Sequence, residues 1–416
     1  MWKRWRTQIL LFLAVLGPGF ITANVDNDSG GILTYSQAGA QFGYTLLWTM
    51  IPITIALIVV QEMCSRMGVV TGKGLSDLIR EEFGLRITFV LMLLLVVVNY
   101  TNVVTEFIGI TGSLHLFHVA KYISVPISAV LVWALVLRGD YKSTEKIFLI
   151  ASLVYLAYIF AGLLAQPDWH ESLWATVRLP SKAVWHDKAY IYMAVGVVGT
   201  TIAPWMQFYL QSSIVEKGVP VKDYPASRLD VIVGCFFTDL IAWFIVVACA
   251  ATLFVHGMGA IQMAADAAEA MRPLAGDYAF VLFAFGLFNA SLFAASILPL
   301  STAYTVCEGL GVESGVDKTF KEAPFFYWLY TLLIAGGAIT VLLLPDAQLI
   351  NVAIFSQVLN GVLLPVVIIL MLLLINRSDL MGEYKNSRLW NVIAWSTSVI
   401  VIGMTFAMLW GMLPGH

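Results

Sequence analysis

Carboxylate and amide side chains interrupt an apolar stretch near the start of the chain, at about residues 8–40. The interruption reads TANVDNDSGG at residues 22–31. Its side chains with oxygen donors are Asn24, Asp26, Asn27 and Asp28. A carboxylate at the centre of a bilayer costs at least about 2.5–3.5 kcal/mol, and such residues mark ion pathways. Gly30-Gly31 and the Asx residues favour unwound backbone, whose freed carbonyl groups, near Val25 for example, can bind a cation.

A second apolar stretch, at about residues 189–215, is interrupted by GTTIAPWMQ at residues 199–207. Pro204 removes one backbone donor of a helix and blocks one carbonyl acceptor. Carbonyl groups near Thr200 and Thr201 would then be free to bind a cation. A proline kink without ligands explains the same pattern, and the residues alone leave both interpretations open.

The composition places these interruptions in a membrane protein. The chain has 416 residues, of which 60% are hydrophobic and 12% charged, against about 45–50% and about 25% in soluble domains. Its net charge of −3 offers no basic patch for nucleic acid. These values exclude a soluble enzyme, a disordered protein and a nucleic-acid-binding protein. The four cysteines form no CxxC motif and are interpreted as apolar packing residues.

Continuous apolar runs identify the elements that carry the interruptions. The runs do not alternate in ten-residue units, which argues against a β-barrel, and helices satisfy their own backbone in lipid. We predict an all-α polytopic membrane protein with eleven transmembrane helices of about 20 apolar residues each. Their expected ranges are residues 8–40, 44–66, 87–113, 122–138, 145–165, 189–215, 229–255, 277–307, 325–344, 348–375 and 389–412.

Lysines and arginines alternate in density from one loop to the next. Of the 23 such residues, 18 fall on the side of the N-terminus and 5 on the opposite side when the eleven helices are drawn across a membrane. Cytoplasmic loops carry an excess of positive charge. The N-terminus is therefore predicted in the cytoplasm, and the odd number of helices places the C-terminus outside.

The two interrupted helices are the first and the sixth, which implies a repeat of five helices. Because five is odd, the second copy must be inverted in the membrane, as in secondary transporters whose site lies at the repeat interface. The chain is predicted to form a single transmembrane domain. Repeat one occupies residues 1–166, repeat two residues 188–376 and an extra helix residues 388–413.

Several motifs along the chain form a specific set. Gly17-Pro18-Gly19-Phe20 is followed after sixteen residues by Gln37-Ala38-Gly39-Ala40. Shorter motifs are GVVTGK at residues 68–73, EFIG at 106–109, RLD at 228–230, CEG at 307–309 and SQV at 356–358. As a set they resemble the NRAMP family of divalent-metal transporters over nearly the whole chain. The resemblance implies a LeuT-like fold of five plus five inverted helices with one extra helix.

The chain departs from that family at both interrupted helices. Where the family has Asp-Pro-Gly-Asn, this sequence runs from Asp28 to Gly31 as DSGG, which keeps the aspartate ligand and loses the asparagine ligand. Where the family has Met-Pro-His, the sequence runs from Ala203 to Trp205 as APW. The metal-binding methionine and the histidine linked to proton movement are thereby replaced. This pattern resembles the NRAMP-related magnesium transporters of bacteria.

These replacements change the chemistry expected at the site. A thioether is a soft ligand, whereas Mg²⁺ prefers oxygen and keeps several waters, so the loss of methionine and asparagine leaves a wider site of hard oxygen donors. The predicted metal ligands, through side chain or backbone, are Val25, Asp26, Asn27, Asp28, Thr200, Ala203 and Gln357. The residues predicted to line the ion route or support the ligands are Asn24, Glu106, Thr201, Trp205 and Asp239. Such a site suits partly hydrated Mg²⁺ and also accepts Mn²⁺.

Groups for a proton relay are scarce. None of the six histidines is expected in the middle of a helix, and the ninth helix has no charged residue from Tyr327 to Leu344. Val103 stands where the resemblance places an acidic residue. We therefore predict transport without proton coupling. At about 2.3 kcal/mol per charge, a divalent cation gains about 4.6 kcal/mol per 100 mV of membrane potential.

With the resemblance, the sequence predicts a passive importer of Mg²⁺ and Mn²⁺ in the bacterial inner membrane that works by alternating access. It is expected to be monomeric and to need no cofactor, because the metal ion is its cargo. The alternative is a proton-coupled Mn²⁺/Fe²⁺ importer of the ordinary NRAMP kind. A sodium-coupled amino-acid transporter shares the architecture, but the acidic break would repel a substrate carboxylate. No HExxH motif or other catalytic constellation indicates an enzyme.

Overall fold

The protein is built from helices, two of which are interrupted. This computed structural model describes residues 17–138, 156–257, 259–261, 264–316 and 318–411, and within these residues it contains no β-strand. The predicted all-α fold class is confirmed. The α-helices are α1 (Pro18–Asn24), α2 (Ser29–Phe42), α3 (Met50–Thr71), α4 (Leu75–His115), α5 (Lys121–Arg138), α6 (Leu156–Leu164), α7 (Trp169–Val177), α8 (Lys188–Thr201), α9 (Pro204–Lys217), α10 (Tyr224–Cys249), α11 (Ala264–Leu310), α12 (Pro324–Leu343), α13 (Leu349–Ile375), α14 (Ser378–Met381) and α15 (Arg388–Gly411).

The first interrupted helix consists of α1 and α2, joined by a 3₁₀ turn at Val25–Asn27. Asp28 follows the turn in an extended conformation, and its side chain accepts a hydrogen bond from the Gly31 N–H at 2.7 Å. It is thus the N-cap of α2 and satisfies one of the free donors at the helix start. The predicted break is confirmed. The prediction that Gly30 and Gly31 are unwound is wrong, because the cap starts α2 before them.

The second interrupted helix consists of α8 and α9. Ile202 and Ala203 have non-helical backbone angles (φ −123°, ψ 59° and φ −67°, ψ 136°), and α9 begins at Pro204. Proline fits the first position of a helix, because the N–H that it lacks would have no helical partner there. The break is therefore real, and Pro204 starts a second half-helix instead of kinking a continuous one.

Apolar helices of membrane-spanning length make up most of the described chain. The stretches that are long and apolar enough are Ser29–Thr71, Leu75–His115, Lys188–Lys217, Val221–Phe254, Ala284–Leu310, Pro324–Leu343, Asp346–Ile375 and Arg388–Trp410, with a shorter apolar helix at Lys121–Leu137. Most of the predicted helix at residues 145–165 and the start of that at 8–40 lie outside the described residues. The number of eleven and the division into repeats at 1–166, 188–376 and 388–413 stay predictions.

Some helix boundaries differ from those predicted. α4 begins at Leu75 instead of residue 87, with a break at Gly84 (φ 80°). α11 begins at Ala264 instead of residue 277. The chain between residues 166 and 188 includes α7. Hydropathy locates only the apolar part of a helix, so polar turns at its ends escape a prediction based on composition.

Glycines let the interrupted helices approach their neighbours closely. A Cβ atom built on Gly199 of α8 would overlap backbone atoms of Gln357 and Gly361 in α13. Large apolar side chains on the outside of the bundle are exposed instead, for example Phe89 at 57% and Leu93 at 56%. An apolar outer surface suits contact with lipid, whereas the polar breaks lie in the interior.

Candidate cation site

The side chains of Asp28 and Gln357 meet at Gly30. A Cβ atom built on Gly30 would overlap Nε2 of Gln357 and would lie 3.1 Å from Oδ1 of Asp28. Asp28 is 5% exposed and Gln357 is 1% exposed, so both polar groups are shielded from water. The first interrupted helix and α13 thus bring together a carboxylate and an amide that were both predicted as ligands, and only glycine leaves room between them.

Thr200 and the backbone of Asp26 adjoin Gly31. A Cβ atom built on Gly31 would overlap the carbonyl oxygen of Asp26 and would lie 3.3 Å from Oγ1 of Thr200. The 3₁₀ turn therefore places a backbone oxygen where a larger side chain at position 31 would begin. The Thr200 carbonyl also lacks its usual helical donor, because residue 204 is proline. Together with Asp28, these groups offer carboxylate, hydroxyl and carbonyl oxygens. In this conformation the Gln357 amide turns its nitrogen toward Gly30, and its oxygen accepts a bond from Asn360.

Two further residues predicted near the first break add no described side-chain oxygen. Val25 is fully buried and apolar, so that any ligand role belongs to its carbonyl group. The side chain of Asn24, at the end of α1, lies outside the described part of the structure.

Ala203 and Trp205 are held by hydrogen bonds where α9 begins. The Ala203 carbonyl accepts a hydrogen bond from the Met206 N–H at 3.1 Å. When the Gln207 side-chain amide is oriented so that its hydrogen bonds are satisfied, its nitrogen also donates to the Ala203 carbonyl, at 2.7 Å. The Trp205 carbonyl accepts a bond from the Ser301 hydroxyl at 3.2 Å, and the Trp205 residue is 1% exposed. In this conformation the Ala203 carbonyl, predicted as a ligand, already has two donors.

Thr201 and Glu106 hold α2 in place. Oγ1 of Thr201 donates to the Val197 carbonyl at 2.8 Å, so the Tyr35 hydroxyl donates to Thr201 across 2.7 Å. Oε2 of Glu106 accepts hydrogen bonds from the N–H and the hydroxyl of Ser29, at 3.2 and 2.9 Å. Both residues, predicted to line the ion route or support the ligands, connect α2 to a neighbouring helix.

Asp26, Asn27 and Asp239 lie on the side of the break that faces α10. Nδ2 of Asn27 donates to the carbonyl and the hydroxyl of Thr238, at 2.9 and 2.6 Å. Asp26 and Asp239 are 2% and 4% exposed and are close enough to interact electrostatically. The structure therefore ties Asn27 to α10, whereas Asp28 meets Gln357 of α13, although all were predicted as one ligand set.

A chain of buried amides holds the Gln357 side chain. Its Oε1 accepts a hydrogen bond from Nδ2 of Asn360 at 2.9 Å. Asn360 and Asn102 exchange two amide hydrogen bonds of 3.0 Å, and the Ser356 hydroxyl donates to Oδ1 of Asn102 at 2.6 Å. Neither asparagine was predicted as a site residue from the sequence. Asn360 lies three residues after Gln357, hence on the same face of α13, and that spacing was the available signal.

The start of α1 is clamped by Asp230 of α10. Its carboxylate accepts hydrogen bonds from the N–H groups of Gly17, Gly19 and Phe20, at 3.3, 2.8 and 3.3 Å. A Cβ atom on Gly234 would lie 2.8 Å from the Cα atom of Phe20, so α1 packs directly on α10. Asp230 belongs to the RLD motif at residues 228–230, and the structure gives it three backbone partners, in α1 and in the residue before it.

Replacing Asp230 by alanine should release α1 from α10. Three backbone donors would lose a charged acceptor, and each such bond contributes about 1.5–3 kcal/mol. We expect Cys235, which is fully buried beside Gly234, to react at least about tenfold faster with a membrane-permeant thiol reagent, since tenfold corresponds to about 1.4 kcal/mol. Peptide mass spectrometry measures this rate. Cys249, equally buried on the same helix, is the matched control and should not change; equal rates at Cys235 would contradict the clamp.

The site is closed in this conformation. A cavity of about 480 Å³ near the end of α4 is lined by Thr111, His115, Lys121 and Asp346 among others. A cavity of about 320 Å³ near the end of α11 is lined by Ser212, Glu216, Tyr304, Glu308 and Lys318 among others. None of the predicted ligands lines either cavity. In the part of the chain that the structure describes, no three His, Cys, Asp or Glu side chains are grouped to hold a metal ion.

Comparisons with known proteins bear on the whole chain. Residues 19–411 match the family model described as natural resistance-associated macrophage protein-like. The divalent metal cation transporter MntH of Burkholderia ambifaria is 25% identical over 420 residues, covering 97% of this chain and 90% of that protein. Among solved structures, the manganese transporter of Eremococcus coleocola is 21% identical with a TM-score of 0.77. The match covers 97% of this chain and 86% of that chain. Mhp1, a nucleobase-cation-symport-1 family transporter, is 14% identical with a TM-score of 0.59. That match covers 95% of this chain and 92% of that chain.

Proposed function

The chain belongs to the natural resistance-associated macrophage protein-like family, NRAMP, and from that premise we propose that it transports Mg²⁺ and Mn²⁺ into the cell without proton coupling. The fold is the LeuT-like fold of its structural neighbours. The family consists of multi-pass membrane transporters and not of enzymes. A relative named a divalent metal cation transporter supports a divalent metal ion as the cargo.

The observation that carries the Mg²⁺ proposal is the environment of Gly31. The carbonyl oxygen of Asp26 excludes a larger side chain there, and Thr200 and Asp28 supply further oxygens beside it. Ala203 supplies only a methyl group at the other position where the family has a ligand side chain. Hard oxygens without a thioether favour Mg²⁺ and tolerate Mn²⁺. When the site opens, the small side chain of Ala203 would leave room for the waters that Mg²⁺ releases reluctantly.

The contact between α4 and α12 supports transport without proton coupling. A Cβ atom on Gly337 would lie 2.8 Å from Cγ1 of Val103 and 3.4 Å from the Phe107 ring, so the two helices meet tightly through apolar groups. α12 carries no charged residue between Pro324 and Leu343. A proton relay needs titratable groups spaced through the membrane. Among the described residues, this contact includes the Tyr100 hydroxyl, which pairs with Thr340, but no acidic, basic or histidine side chain of α12.

Reconstituted protein tests the proposal. In liposomes with an imposed negative inside potential, we expect uptake of both Mg²⁺ and Mn²⁺ that rises with the potential, without acidification of a trapped pH-sensitive dye. Protein-free liposomes provide the baseline. Mn²⁺ uptake with stoichiometric proton entry and no Mg²⁺ uptake would instead establish the alternative, a proton-coupled Mn²⁺/Fe²⁺ importer.

The remaining features of the proposal follow from the same premise. A cytoplasmic N-terminus, an external C-terminus and the bacterial inner membrane agree with the basic residues on one side of the predicted helices. The closed site and the clamped α1 support alternating access, in which α1 moves to open one side. We propose a monomer, with the transported ion as its partner and no cofactor.

A further inference from the structure

Buried oxygens without hydrogen-bond donors collect at the contact between the first break and α10. Both carboxylate oxygens of Asp26, both of Asp239 and Oδ1 of Asn27 have no hydrogen-bond partner. Asp26, Asn27 and Asp239 are 2%, 0% and 4% exposed. An acceptor buried without a donor is costly, and an ionised one more so. A bound cation or bound protons would satisfy these five oxygens.

Chain order and the hydrogen bonds of Asn27 place these three residues at the same contact. Both hydrogens of the Asn27 amide nitrogen are used by the carbonyl and hydroxyl of Thr238, which leaves Oδ1 of the same amide free to face elsewhere. Asp26 precedes Asn27 and Asp239 follows Thr238, so the two acids flank this contact. Their electrostatic interaction agrees with that proximity.

Asp28 belongs to a different position. Its Oδ1 accepts the Gly31 N–H, and its carboxylate meets the Gln357 amide across Gly30. Gln357 is held by Asn360 on α13, whereas Asn27 is held by Thr238 on α10. The neighbouring residues Asn27 and Asp28 thus contact different helices, since Asn27 bonds to α10 and Asp28 meets Gln357 of α13.

The charge environment also favours a cation. Asp26 lies close enough to Asp28 and Asp239 to interact electrostatically, and Glu106 lies close enough to Asp28. Among the described residues, no lysine or arginine donates a hydrogen bond to Asp26 or Asp239. An ionised carboxylate buried without a positive partner is strongly unfavourable, and a bound divalent cation is such a partner.

We propose that Asp26, Asn27 and Asp239 form a second position for a hydrated divalent cation, beside the position at Asp28 and Gln357. This inference rests on the proposed function, since it assigns two successive ion positions to the same route. Carboxylate and amide oxygens with retained water are the ligands that Mg²⁺ and Mn²⁺ accept.

Counting bound Mn²⁺ on the purified full chain tests the second position. Equilibrium dialysis followed by metal analysis should give two Mn²⁺ per wild-type chain and one per chain for Asp239→Asn and for Asp26→Asn. Asp28→Asn should also give one, and the Asp28→Asn/Asp239→Asn double variant none. Asp379→Asn removes an exposed acid that pairs with Arg377, and this control should keep two. Size-exclusion chromatography checks that each variant is folded. Two single variants at the second position are made so that the test still works if one of them fails to fold.

Two results would overturn the second position: one Mn²⁺ per wild-type chain, or two retained in both Asp26→Asn and Asp239→Asn. Neither result touches the proposed function, which depends on uptake. If the wild type binds a single ion that Asp28→Asn removes, and potential-driven uptake persists, the second position is wrong and the function stands. If Asp28→Asn transports normally, the site of the proposed function is wrong.

Discussion

Liposomes carrying the Asp28→Asn variant should take up Mg²⁺ and Mn²⁺ at least about 100-fold more slowly than liposomes with the wild-type protein. Asparagine is as good an N-cap as aspartate, so the hydrogen bond to Gly31 and the start of α2 are retained. What is lost is the carboxylate charge that would pair with the bound divalent cation. Removing one partner of a buried charge pair costs about 3–5 kcal/mol, and each 1.4 kcal/mol corresponds to about tenfold.

The control for this variant is a second acid-to-amide change. Asp379→Asn removes the same charge at an exposed position beside Arg377, and its uptake should equal that of the wild type. The thermal unfolding midpoint of the Asp28→Asn protein should stay near that of the wild type because the cap is preserved. Uptake within a few-fold of the wild-type rate would show that Asp28 does not bind the transported ion.

Gly199→Ala should destabilise the protein and abolish uptake. The added Cβ atom would overlap backbone atoms of Gln357 and Gly361 and would lie 2.8 Å from the Gly361 Cα atom. A backbone cannot move aside as the end of a side chain can, so α8 and α13 must separate. Overpacking typically costs about 1–3 kcal/mol, and the separation would also move Gln357 away from Asp28. A thermal unfolding curve and the liposome assay measure the two effects.

Gly196 on the same helix provides a matched control. A Cβ atom there would lie 3.5 Å from Cγ2 of Val358 and 3.7 Å from Cγ2 of Thr34, which are ordinary contact distances. Gly196→Ala should therefore fold and transport like the wild type, and alanine within a helix should stabilise it slightly. Equal behaviour of Gly196→Ala and Gly199→Ala would show that the close crossing of α8 and α13 does not position the site.

Much of the fold could be predicted from composition and local pattern. Both breaks were located, at residues 22–31 and 199–207, because polar residues and proline stand out in apolar runs. Only the structure distinguishes the second break from a proline kink, because both produce the same residue pattern in the sequence. Terminal turns such as the start of α4 at Leu75 were missed, because their polar residues resemble loops.

The candidate site could be predicted as a list of residues but not as an arrangement. The list includes Asp28 and Gln357, which the structure brings together, and Asn27, which it ties to α10. It omits Asn102 and Asn360, because the bond between them joins residues 258 positions apart. A distance along the chain of that size carries no information about contact until the helices are packed.

The sequence by itself determined that this chain is a helical membrane protein with two breaks and few interior charges. That much follows from local chemistry, because lipid offers no hydrogen bonds and each helix must satisfy its own backbone. Only the tertiary structure decided which oxygens meet. The 3₁₀ turn at Val25–Asn27 places the Asp26 carbonyl beside Gly31, while the Asn27 amide reaches Thr238 of α10. The physical reason is that the direction of a side chain depends on backbone angles and on the packing of α10 and α13, and neither is written in the identity of one residue.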